Sequence, residues 1–204
     1  MLGLFGSSSF GTAMVTLGDK GEEIIEVAER LAEFNPTEIP TYGWRGYKGG
    51  DPKTDCLLDG NWKLRFTTGA DATFRESSER GKAFTSQEID AVNGTLTNTI
   101  GFEKGSIERF RVIVEGSAES DQNVALTFKK IVIKRRQKLF SLFETITIPL
   151  PSFKVLRTFA KLASMGRANA KKAGFQLKYI DQDFRMHKTN DGNWFIQTRI
   201  ENDF

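Results

Sequence analysis

Hydrophobic and polar positions alternate along most of this chain with a period of two. Trp62, Leu64 and Phe66 interleave with Lys63, Arg65 and Thr67, the pattern of a strand with one dry and one wet face. Asp59-Gly60 supplies the turn chemistry that starts it. Similar short runs follow: Phe84 to Ile89; Leu96, Ile100 and Phe102; Phe110, Val112 and Val114; Val124, Leu126 and Phe128. Asn93-Gly94, Gly105-Ser106 and Asp121-Gln122-Asn123 separate them as turn signals. After Phe128 the parity slips, which predicts a bulge near Lys130, and Thr145 to Leu150 forms another candidate strand. Phe175 to Lys188 and Trp194 to Glu201 read as a closing hairpin around Asn190-Asp191-Gly192-Asn193. Short strands at this spacing favour an antiparallel barrel or sandwich, with the last hairpin returning beside the first strand.

Two segments have a helical period instead. Over residues 19–34, Ile24, Val27, Ala28, Leu31 and Phe34 form one apolar face, and Asn35-Pro36 ends it because the residue before proline avoids helical angles. Over residues 152–172, Phe153, Leu156, Phe159, Ala160 and Ala163 gather on one side, with Lys154, Arg157, Lys161 and Arg167 elsewhere. That is a cationic amphipathic helix, suited either to a membrane interface or to packing on its own barrel. Between them, residues 40–52 interleave Gly43, Gly46, Gly49 and Gly50 with Tyr42, Trp44 and Tyr47, a lid or membrane-inserting loop in one reading and a strapped-down loop in the other. Residues 1–18 carry no charged side chain and read as a flexible leader or a remnant of a targeting segment.

Composition narrows the chemistry. The 204 residues are 39% hydrophobic and 27% charged, a globular balance. Seventeen Phe against three Tyr favour dry surfaces over hydrogen-bonded ones. One Cys excludes an internal disulfide, and one His excludes a multi-histidine metal site, so no metal, cofactor or catalytic residue is expected. The net charge of +3 hides a strong polarity, because residues 129–178 hold 13 Lys and Arg against Glu144 alone. Lys134, Arg135 and Arg136, with Lys154, Arg157 and Lys161, are the candidate contacts to an anionic membrane or lipid-droplet surface, each contributing on the order of 1 kcal/mol there.

A Gly-x-Trp start at Gly60 and Trp62, after a short helix, resembles the opening of lipocalin-like barrels. With Asn35-Pro36-Thr37, Thr67-Thr68 and the stretch Tyr179-Ile180-Asp181-Gln182-Asp183-Phe184-Arg185, it resembles the plastid lipid-associated protein family, the fibrillins or plastoglobulins. The resemblance implies a mainly β, lipocalin-like domain over 19–204, with its helix at 19–34 and its barrel at 57–204. It further implies a plastid location, at thylakoids or plastoglobules, and a non-enzymatic role in binding or organising carotenoids, quinones or fatty acids. The expected lining of the barrel is Trp62, Leu64, Phe66, Leu96, Ile100, Phe102, Phe110, Val112, Val114, Leu126 and Phe128. Gly60, Asp181 and Asp183 belong to the family motif. Read as one strand, Asp181, Asp183 and Arg185 share a face, where Arg185 either holds a carboxylate head inside or joins an ion-pair cluster outside.

Two rival classes use the same residues. A nucleic-acid module would use the basic stretch, but its aromatics there are phenylalanines, and no nucleic-acid partner is expected. A lipid-modifying enzyme would need a buried titratable pair facing a cavity, for which Asp183 and His187 are the candidates.

Overall fold

The computed structural model describes residues 19–69, 79–136, 144–150 and 173–201. The leader and the basic segment 152–172, with Lys154, Arg157 and Lys161, lie outside the described residues. A helix, α1 (Asp19–Ala32), precedes nine strands: β1 (Gly60–Thr67), β2 (Ala83–Asp90), β3 (Thr95–Phe102), β4 (Ile107–Ala118), β5 (Asn123–Arg135), β6 (Thr145–Pro149), β7 (Gly174–Ile180), β8 (Phe184–Thr189) and β9 (Trp194–Ile200). All pair antiparallel in the order β4-β3-β2-β1-β9-β8-β7-β5-β6, and β4 also pairs with β5. That extra pairing closes eight of the strands into a barrel-like ring, with β6 attached to β5. The first and last strands meet as the sequence pattern predicts, Trp62 opposite Arg199 and Leu64 opposite Gln197.

Three bulges decide what the ring encloses. The β5 bulge falls at Lys129, between Phe128 opposite Val114 and Lys130 opposite Ile113, where the parity slip places it. A second, at Arg65, is invisible in the alternating sequence. It pairs Phe66 with Ile196, whose neighbour Gln197 faces Leu64, so Phe66 turns to the outer face and not inward as expected. A third, at Lys178, turns Tyr179 outward beside Met186 and Ile180 inward beside Arg185.

The expected final hairpin is a three-stranded meander, because the run from Phe175 to Lys188 breaks at Asp181-Gln182-Asp183. There Asp181 Oδ1 accepts from the backbone N–H groups of Asp183 and Phe184, at 2.9 and 2.7 Å, and folds the chain back. Asp181 and Asp183 therefore stand in a turn and not on one strand face with Arg185.

Helix α1 braces the outside of this meander. Ala28 is buried with Met186 and Trp194, and Ile25, Leu31, Tyr179, Phe184 and Ile196 pack around them. The helix ends at Ala32, and Phe34, expected on its apolar face, is 74% exposed. The exit is pinned to the sheet. Asn35 Oδ1 accepts from Ile180 N–H at 3.0 Å, and Thr37 Oγ1 donates to the Ile180 carbonyl at 2.6 Å.

The aromatic loop seals one end of the ring. Gly43 turns it with a φ of +79°, where a Cβ would also meet the Asp51 carbonyl and Cys56 nitrogen at 3.0 Å. Trp44 then enters the core, only 2% exposed, and its Nε1 donates to the Gly116 carbonyl at 3.2 Å. Glycine at 116 makes that possible, since a Cβ would lie 2.8 Å from the Trp44 ring. Tyr47 and Lys48 tie the loop to Asp121. The loop is a plug at this end, strapped down by its own side chains.

Candidate ligand-binding site

The inward face of the ring divides into two halves. At the plugged end, Trp44, Leu58, Trp62, Ile89, Leu96, Val114, Val124, Leu177 and Ile180 form one buried apolar cluster. Toward the other end the inward positions change character. Leu64, Phe110, Ile133 and Ile148 are only half-buried, and Ile146 is exposed, whereas half-buried Val112 and Phe128 pack against the apolar cluster, Phe128 opposite Val114. Register places them inside: Ile100 faces Phe110, Phe110 faces Ile133, and Ile133 faces Ile146. Ile100 and Phe102, also inward, are buried. The half-buried inward apolar side chains of this end keep accessible surface that those of the plugged end do not.

A polar layer separates the two halves. Arg185 rises from the start of β8, fully buried, and lies over the Trp62 ring with its guanidinium carbon 4.7 Å from the centroid. It crosses toward β2, where Nη2 donates to Gln87 Oε1. Gln87 Nε2 in turn donates to Asn98 Oδ1 at 2.5 Å, and Asn98 is half-buried. His187, two residues on, is stacked on Phe195 with ring centroids 5.0 Å apart and lies 4.6 Å from the tilted ring of Phe175. Burial, helped by the charge of Arg185, pushes the His187 imidazole well below its ordinary pKa, so it is neutral. Four polar atoms in this layer are buried without a partner: Arg185 Nε and Nη1, His187 Nδ1 and Gln197 Oε1.

A second arginine touches Trp62 from the opposite strand. Arg199 stands 4.3 Å from the same ring, donates from Nη1 to the Asp59 carbonyl at 2.5 Å and from Nη2 to the Leu57 carbonyl at 2.6 Å, and from Nε to the Gln182 carbonyl. Trp62 Nε1 donates to the Leu58 carbonyl at 2.9 Å. This clasp ties β1, β9 and the approach to β1 together. Gly60 sits beneath it with a φ of +110°, and a Cβ there would meet Arg199 Nη1 at 2.7 Å.

Sequence reasoning missed Arg199, Gln87, Asn98 and Gln197 because they are polar residues on the inward face. The signal was available in β8 and β9. There the apolar residues Met186, Trp194 and Ile196 point outward against α1, which leaves Arg185, His187, Gln197 and Arg199 to point in. Asp183 and His187 are not brought together, the one exposed in its turn and the other buried between two rings. Among the described residues, no group of three or more His, Cys, Asp or Glu gathers as a metal cage requires. Cys56 is buried, and burial pushes its thiol up to about 11, so it is protonated at neutral pH.

The basic residues on β5 are locally engaged. Lys134 pairs with Glu108 at 3.0 Å, Lys129 pairs with Glu115, and Arg136 Nη2 donates to the Phe102 carbonyl at 2.5 Å. The Lys129 and Lys134 side chains nonetheless keep nearly half their surface in solvent, 48% and 42%.

A ring of antiparallel strands plugged at one end, with a tryptophan clasp on its first strand, defines a mainly β, barrel-like protein. The chain matches the PAP_fibrillin family over residues 11–198 and belongs to it, a plastid-associated family that is generally structural or lipid-associated. Comparison with curated proteins and with solved structures yields no match.

Proposed function

We propose that this protein is a non-enzymatic carrier or organiser of hydrophobic lipids in plastids, holding an isoprenoid-type or acyl chain inside its ring. The supporting observation is the pair of unlike halves. Side chains fill the plugged end, whereas Leu64, Phe110, Ile133 and Ile148 keep accessible surface on the inward face of the other. Apolar surface left open inside a closed sheet is favourable only to another apolar group. Trp62, Leu64, Ile100, Phe102, Phe110, Val112 and Phe128 are then the floor and walls of the site, and the outward-turned Phe66 is not. The partly exposed basic residues of β5 support reversible docking on anionic thylakoid or plastoglobule surfaces.

The test is to incubate delipidated full-length protein with a thylakoid lipid extract, re-isolate it and weigh it by native mass spectrometry. A mass increment that resolves into a prenyl lipid, pigment or acyl lipid supports the reading. Protein recovered bare at every extract concentration overturns it.

A further inference from the structure

Arg185 has no structural account of the kind that Arg199 has. Arg199 is half-exposed and its guanidinium donates to three backbone carbonyls, which explains it as a clasp. Arg185 is fully buried and donates to one neutral amide, Gln87. Its register neighbours on the inward face are Ile180 and Gln197, and no described residue on the inward face of the ring is Asp or Glu. Burial and the charge of Arg199 push its pKa down. An arginine nevertheless stays protonated in proteins, so that direction measures how poorly the cation is accommodated. A buried charge left without a counter-charge is destabilising, and protein interiors otherwise pair them.

The fork of a guanidinium has two edges that each present a pair of parallel N–H bonds, and Nη2 belongs to both. Whichever Nη2 hydrogen Gln87 takes, one complete two-donor edge remains, because Nε and Nη1 are both without a partner. A carboxylate matches such an edge in shape and charge. The proposed approach to this edge runs past Leu64, Val112 and Asn98, the inward positions beside Trp62 and Gln87 that keep accessible surface.

We infer that the ring binds a lipid with a single carboxylate head, inserted head first, whose carboxylate displaces the Gln87 amide and pairs with Arg185 over the Trp62 ring. Gln87 is the placeholder of the unliganded state, and the apolar tail lies along Val112, Phe110 and Ile133. This rests on the carrier reading above and specifies its ligand as an acid. A neutral carotenoid or quinone would leave Arg185 no better paired than Gln87 already leaves it.

The experiment compares three ligands on the delipidated full chain: sodium oleate, oleyl alcohol with the same tail, and decyl-ubiquinone as a neutral prenyl-type quinone. Tryptophan fluorescence and native mass spectrometry report binding. Oleate should bind one to one, about tenfold to a hundredfold more tightly than the alcohol, the margin expected of a charge-assisted pair in place of a neutral contact. That margin should shrink as pH falls through the acid's own pKa, at about 4 to 5. Gln87→Glu places a carboxylate on Arg185 from within. It should raise the melting temperature and abolish the preference for oleate while binding of the alcohol persists, whereas a purely structural Arg185 would show the first effect without the second. Alcohol and quinone bound as tightly as oleate, or Gln87→Glu keeping the wild-type preference, overturn the acid-head inference and leave the carrier reading standing. Failure of all three ligands to bind overturns both.

Discussion

The two ends of the ring are built from the same strands and do opposite things with their interiors. At the plugged end every inward position is spent on packing. Trp44 descends from the loop into one cluster with Leu58 and Ile180, and the Arg199 guanidinium donates to three backbone carbonyls. At the other end Leu64, Phe110, Ile133 and Ile148 face inward and stay half-buried. Stability is therefore concentrated where the chain is closed and absent where it is open, the arrangement expected when binding surface and folding core are kept apart. Arg185 lies on the boundary, and its missing counter-charge belongs to neither side.

Substitutions can break this contrast or sharpen it. The largest effect is expected at the plugged end. Trp62→Ala removes a fully buried indole that touches both arginines, and chemical denaturation should register a loss of about 3 to 5 kcal/mol. At the boundary, His187 makes stability depend on pH. Its native pKa lies below the ordinary 6.5, so the unfolded chain binds a proton first as pH falls. The His187 contribution is intact above about 6.5 and is lost below it, by at most about 1.4 kcal/mol per pH unit. His187→Phe should flatten that acid-side slope in melting curves between pH 7 and 5. The smallest effect is expected at the open end, where Phe110→Ala should cost about 1 to 2 kcal/mol, since its ring already keeps some accessible surface. An equal loss at Phe110 and Trp62 would mean that the two ends are packed alike.

Much of this was legible in the sequence, and the misses share a cause. The ring closure followed from the Trp62 strand and the Asp191-Gly192 turn, and the β5 bulge from the slipped parity after Phe128. The bulge at Arg65 left no trace, because Trp62, Leu64 and Phe66 alternate perfectly while the backbone does not. The turn at residues 181–183 was hidden inside one long polar–apolar run, although two aspartates flanking a glutamine are themselves turn chemistry. The polar layer was missed for a deeper reason. A period of two says that a strand has two faces but not which one looks inward, and α1 gives β8 and β9 an apolar partner on the outside. An amphipathic helix with nothing else to cover was the available hint that these strands are inverted.

That same brace sets a schedule for biogenesis. Ala28 leaves the ribosome well before Met186 and Trp194, against which it is buried, have been made. Asn35 and Thr37 likewise wait for Ile180, and Trp62 waits for Arg199. At about 5 to 20 residues per second, the nascent helix spends on the order of ten seconds with its greasy stripe uncovered. A helix buried against strands made this much later cannot cover its apolar stripe until they arrive, and in that interval the stripe is open to other apolar surfaces.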